Sequence, residues 1–179
     1  MVVLVLGFGP FGSVVDNPAR RVALAVDGQT LGRGVGRIVG REMPVSYARS
    51  ERLTLDLVEE LGPALVLGVG VASGRTEALV EQVGNHRADP LLFDVDGVGL
   101  ADHGAGQGSL VSASAAPLAT ALGVGLSLDA GGYVCNSWLF RALRAGLPAA
   151  FLHVPPSGFP AAALRSGLSR LVRARPGRS

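Results

Sequence analysis

The chain has 179 residues, 48% of them apolar and 17% charged, with a formal net charge of +2. That is enough for one domain with a sizeable core, and it excludes an intrinsically disordered chain. Every basic residue is Arg, and the one basic cluster (Arg165, Arg170, Arg173, Arg175, Arg178) lacks the interleaved aromatics of a nucleic-acid surface.

Residues 2–6 form a continuous apolar run ending at Gly7, the pattern of a buried parallel strand. No basic n-region precedes it, no apolar run reaches spanning length, and the single Cys precludes an internal disulfide. A cytoplasmic protein with no membrane or nucleic-acid partner is expected. Asp16-Asn17-Pro18 supplies a cap and a first-turn proline for a helix to residue 26. Residues 37–45 read as a second strand. A helix follows over 46–61, with Leu53, Leu57, Val58 and Leu61 on one face and Gly62-Pro63 as its stop. Residues 64–69 form a third buried strand.

The Gly-rich middle, residues 73–108, reads as irregular, with a short hairpin near 79–83 and a long loop. Its part from 87 to 108 is expected to be mobile and to close over substrate. Beyond it come a helix over 115–122, a strand over 125–128, a Gly131-Gly132 turn and a helix over 134–145. A strand over 149–154 and a helix over 160–173 complete the pattern. Strands alternating with helices predict an α/β fold: residues 1–179 form a single domain, a largely parallel or mixed twisted sheet sandwiched by helices on both faces. Ligands of such sheets bind beyond the carboxyl ends of the strands.

Gly7-Phe8-Gly9-Pro10-Phe11-Gly12 matches a dinucleotide fingerprint by letter. Its bulky and rigid residues oppose close approach of a pyrophosphate, and the next helix begins too late to point at one. The loop reads instead as a rigid presenter of two aromatic rings to a small flat ligand. No cofactor is expected.

Cys135 stands where a Gly-Gly turn enters a helix. A thiol at a helix N-terminus is expected to have a lowered pKa, and the free N–H groups there can hold an oxyanion. His153 lies at the end of an apolar strand on the ligand edge. A Cys–His pair needs a third group to orient the imidazole, and Glu81, Asp89, Asp94 and Asp129 all qualify by type. His86 and His103 lack metal-ligand spacing, so no metal is expected.

Four segments together resemble the pyroglutamyl peptidase I family. They are Gly-Phe-Gly-Pro-Phe-Gly with Asn17-Pro18, residues 70–75 with Glu81 beyond, residues 130–136 ending Val134-Cys135-Asn136, and Leu152-His153-Val154-Pro155. The resemblance implies hydrolysis of an N-terminal pyroglutamyl residue from peptides through a thioester, without a cofactor, usually by a homotetramer. It implies Cys135 as nucleophile, His153 as general base and then acid, and Glu81 as the group orienting His153. It further implies a pyrrolidone pocket walled by Phe8 and Phe11, with Tyr133 and Val134 beside the thiol. Val71 stands where that family usually carries Gln, the Cys135 to His153 separation is short, and the usual sequence past Pro155 is absent. Three rival readings are a degenerate binding module, a nucleoside phosphorylase-like enzyme and a nicotinamide-binding protein.

Overall fold

The strand and helix order β1 (Val2–Phe8), α1 (Pro18–Ala25), β2 (Arg37–Met43), α2 (Tyr47–Leu61), β3 (Leu65–Val71) opens the chain. It continues with β4 (Leu79–Glu81), β5 (Val83–Asn85), β6 (Ser109–Val111), α3 (Ala115–Leu122), β7 (Gly125–Ser127), α4 (Val134–Arg144), β8 (Ala149–Val154) and α5 (Ala161–Ala174). The structure is a computed structural model that describes residues 1–32, 34–100 and 108–174.

Six strands form one sheet in the order β2-β1-β3-β8-β4-β7. The first four are mutually parallel, whereas β4 runs antiparallel to β8 and parallel to β7. Period-two alternation divides the side chains between two layers. One layer sets Val3, Val5, Leu67, Leu152 and Val154 against α1, α3 and α5. The other sets Leu4, Leu6, Val66 and Phe151 against α2 and α4. The result is the helix-sheet-helix sandwich that the alternation predicts.

Local chemistry fixes the helix ends. The Asn17 side chain accepts the Ala19 N–H with Pro18 in the first turn, and Ser46 accepts the Arg49 N–H. Gly62, at φ +52°, ends α2 in the left-handed conformation that costs glycine nothing. The aromatic-glycine loop does not carry a helix N-terminus, because α1 starts only at Pro18. Gly7 instead permits close packing of β1 on α1: a Cβ there would meet the Ala19 carbonyl oxygen at 2.2 Å.

The hairpin expected near residues 79–83 does not form. β4 joins the main sheet, while β5 pairs antiparallel with β6 in a separate two-stranded sheet. Nothing in Leu79-Val80-Glu81-Gln82-Val83 supplies the glycine or asparagine that a two-residue turn needs. The chain changes sheets at Gln82, whose N–H donates to the Ser127 carbonyl and whose own carbonyl accepts from the Ser112 N–H.

Within the segment expected to close over substrate, residues 101–107, with His103, lie outside the described residues. Its first half is pinned by Asp94, whose buried carboxylate accepts the Tyr47, Asp96 and Val98 N–H groups. Arg175 and Arg178 of the basic cluster also lie outside the described residues.

Candidate active site

The carboxyl ends of β3 and β8 lie side by side, with Gly70 paired to His153 and Val71 to Val154. Gly68 and Gly70 leave the α4-facing side of β3 bare, and α4 descends onto it. A Cβ on Gly70 would fall 2.9 Å from Cys135 Sγ and 2.9 Å from the Phe151 ring. Real side chains do not pack that closely, so Gly70 is the seat of the thiol. The thiol therefore sits over a strand whose ladder partner is His153, one strand spacing away.

Cys135 is the second residue of α4. Gly131, at φ +80°, turns the chain into the helix, and Tyr133 serves as an N-cap with no side-chain cap bond. The first N–H groups of a helix are not consumed by its own carbonyls, so they remain for a ligand. Next to Cys135, the Asn136 side chain accepts the Asn85 N–H and donates to the Asn85 and Arg87 carbonyls. It ties the first turn of α4 to the stretch after β5.

The register of β4 on β8 pairs Leu79 with His153 and Glu81 with Phe151. Glu81 and His153 are thus diagonal neighbours on one face of an antiparallel pair, within reach of long side chains. Their contact is 2.7 Å, from His153 Nδ1 to Glu81 Oε1, and both residues are buried. Burial pushes the Glu81 carboxyl up. Hydrogen bonds from His153, Ser127 and Arg75, with the positive character of the ring, outweigh it and hold the group below its ordinary 4.5. An ionised carboxylate only accepts, so Nδ1 carries the ring proton and Nε2 is left for other work.

The thiol behaves otherwise than the helix N-terminus predicts. Burial, with the Glu81 charge adding to it, pushes Cys135 up to about 12. Loss of water around the sulfur, in a seat walled by Gly70 and Phe151, outweighs the helix-end field even though the residue as a whole is only half-buried.

Of the four acids that qualified as orienter, Glu81 reaches His153. Asp94 is occupied at Tyr47, Asp96 and Val98, while Asp89 accepts the Leu91 N–H and Asp129 the Gly131 N–H. Phe11 and Tyr133 pack ring to ring at 6.3 Å, and Tyr133 meets Tyr47 edge-on at 6.1 Å. Phe8 is only 2% exposed and packs at 6.1 Å on Phe151, which in turn stands 4.9 Å from the His153 ring. Val134 is fully buried beneath the turn, and Val71 is half-buried at the end of β3. Phe8 and Val134 therefore support the site from below, while Phe11, Tyr133 and Val71 are partly open.

Sequence reasoning missed Gly70 and Asn136. The signal for Gly70 was its place at the end of an apolar strand, where a bare backbone invites close approach. For Asn136 the signal was a polar side chain entering an apolar helix.

A family model described as pyroglutamyl peptidase matches residues 1–159. The pyrrolidone-carboxylate peptidase of Pseudomonas fluorescens is 30% identical over 167 residues, covering 86% of this chain and 78% of that protein. That of Pyrococcus furiosus is 29% identical over 170 residues, covering 87% and 81%. Among solved structures, the pyrrolidone carboxyl peptidase from Thermococcus litoralis is similar with a TM-score of 0.82 at 25% identity, over 96% of this chain and 91% of that one.

Proposed function

The chain belongs to the pyroglutamyl peptidase family, and from that premise we propose that it hydrolyses the N-terminal L-pyroglutamyl residue from peptides as a cysteine-type exopeptidase. The observation that carries this reading is the buried 2.7 Å contact of His153 with Glu81, beside the strand on which the thiol is seated. In this reading Cys135 is the nucleophile, His153 the base and then acid, and Glu81 the group that fixes the imidazole tautomer.

The pyrrolidone ring lies against the partly open Phe11 and Tyr133, over Phe8 and Val134, with the backbone of β3 at Val71 beside it. Backbone groups that bond the lactam N–H and C=O reject proline, because its ring leaves the carbonyl partner unpaired. Burial raises the Cys135 thiol above its ordinary range, so in this reading attack and proton loss are coupled. His153 Nε2 takes the thiol proton as sulfur bonds to the scissile carbonyl carbon. The tetrahedral oxyanion is held by first-turn N–H groups of α4. The C–N bond then breaks, His153 gives its proton to the departing amine, and a thioester remains. Water, deprotonated by His153, attacks the thioester. The C–S bond breaks, the proton returns to sulfur, and pyroglutamate leaves. This chemistry requires no cofactor.

The same reading takes the chain as one catalytic domain that works as a homotetramer. Exposed apolar side chains support self-association, with Leu91 at 81% and Phe93 at 61% exposure. A thiol nucleophile with no second cysteine to pair with fits a reducing, cytoplasmic setting.

The test is release of a reporter amine from a pyroglutamyl amide, beside a prolyl amide and the Cys135→Ser protein. Turnover of the pyroglutamyl compound alone, lost on substitution, is expected. Equal turnover by Cys135→Ser would remove Cys135 from the mechanism.

A further inference from the structure

Arg75 lies in the loop after β3 and is 26% exposed. One terminal nitrogen donates to Glu81 Oε1 at 2.6 Å, the same oxygen that meets His153 Nδ1. The other donates to Ser127 Oγ at 3.1 Å and to the Asp129 carbonyl at 2.9 Å. Asp129 opens the turn that delivers Cys135, with its carboxylate accepting the Gly131 N–H. A single guanidinium therefore joins the carboxylate on β4 to the start of the nucleophile turn.

Resting on the peptidase reading above, we propose that Arg75 is a positioning residue of the reaction, which sets the protonation of the Glu81–His153 pair and fixes the Asp129–Gly132 turn against it.

The groups facing Glu81 are His153 from β8, Arg75 from the β3 loop, Ser127 from β7 and Cys135 from α4. Arg75 is the guanidinium paired with the buried carboxylate. Together they make a site of zero net charge. Without Arg75 the same site holds one uncompensated negative charge in a dry place. Such a site takes up a proton at higher pH, whether Glu81 or His153 receives it, and the base is lost in either case. An ammonium at this position keeps the charge, but as a point donor it cannot hold Glu81 and the Asp129 carbonyl in one fork.

The experiment compares wild type, Arg75→Gln and Arg75→Lys in two readouts: the pH profile of kcat/KM on a pyroglutamyl amide, and the NMR titration of the His153 ring, assigned by its absence in His153→Asn. Arg75→Gln is expected to move the acid limb and the ring titration up by about one pH unit or more, which lowers kcat/KM roughly tenfold on that limb, with recovery toward alkaline pH. Arg75→Lys is expected to keep the wild-type acid limb with a lower kcat and little change in KM. If Arg75→Gln does not fold, a wild-type kcat in Arg75→Lys overturns the fork and a lowered one supports it. A folded Arg75→Gln with an unmoved ring titration, or a loss of rate equal at every pH, overturns the proposal. Wild-type protein inactive on the amide sinks the peptidase reading alone, because the ring titration still decides the Arg75 assignment.

Discussion

At the residue scale, the buried carboxylate of Glu81 carries the sharpest energetic consequence. Its pKa is held below the ordinary value, so it binds its proton less readily in the folded chain than in the unfolded one. Linkage then makes its contribution to stability complete above 4.5 and lost as pH falls through the native value. Glu81→Gln is expected to be less stable than wild type at neutral pH, with the gap closing in acid. Urea unfolding of both proteins from pH 7 downward checks this, and a gap that stays constant would show that the charge of Glu81 contributes nothing. Placement on the ligand edge made Cys135 and His153 legible, one where a turn enters a helix and the other at the end of an apolar strand, and the family resemblance supplied their roles. The identity of the third group was not legible from spacing, because four acids fitted equally. The direction of the Cys135 shift was misread for a related reason: a helix-end argument is local, and the apolar seat on Gly70 and Phe151 comes from strands far away in sequence.

At the scale of elements, the site depends on two ladders. The parallel β3–β8 ladder sets Gly70 beside His153, and the antiparallel β4–β8 ladder sets Glu81 diagonal to His153. A one-residue slip of β4 would send Glu81 to the opposite layer, against α3 and α5. Gly70→Ala tests the first ladder. The added methyl must displace either the thiol or the Phe151 edge. A loss of roughly 100-fold in kcat/KM is expected from the misplaced thiol. An accompanying destabilisation of about 1–3 kcal/mol is expected from overpacking. Wild-type turnover by Gly70→Ala would mean that the thiol does not rest where the strand is bare. Helices and long strands were readable from caps and apolar runs. β4, β5 and β6 were not, because each has three residues and takes its meaning from partners distant in the chain.

At the scale of the whole molecule, the three-layer architecture was legible because buried strands alternate with one-faced helices. The last helix was legible although the family model does not reach it. The family model stops at residue 159, yet α5 places Leu164, Leu168, Leu171 and Val172 in the same core as α1 and α3. Leu91, Phe93, Val95 and Val98 form an exposed apolar stretch. The Phe93 carbonyl accepts a 2.9 Å hydrogen bond from the Tyr133 hydroxyl, next to the turn that enters α4. If the proposed tetramer forms through that stretch, Phe93→Asp is expected to lower the mass measured by equilibrium sedimentation toward a smaller species. An unchanged mass would place the contact elsewhere.

The molecule owns one sulfhydryl, and it is the one seated on Gly70. A one-to-one thiol reagent that reaches this sulfur, weighed by intact mass, therefore reports on the proposed nucleophile directly, with no second cysteine to correct for. The same solitude leaves the protein without a repair partner inside its own chain. Once that sulfur is oxidised to a sulfenic acid, no neighbouring cysteine can capture it as a disulfide, and rescue must come from a thiol in solution.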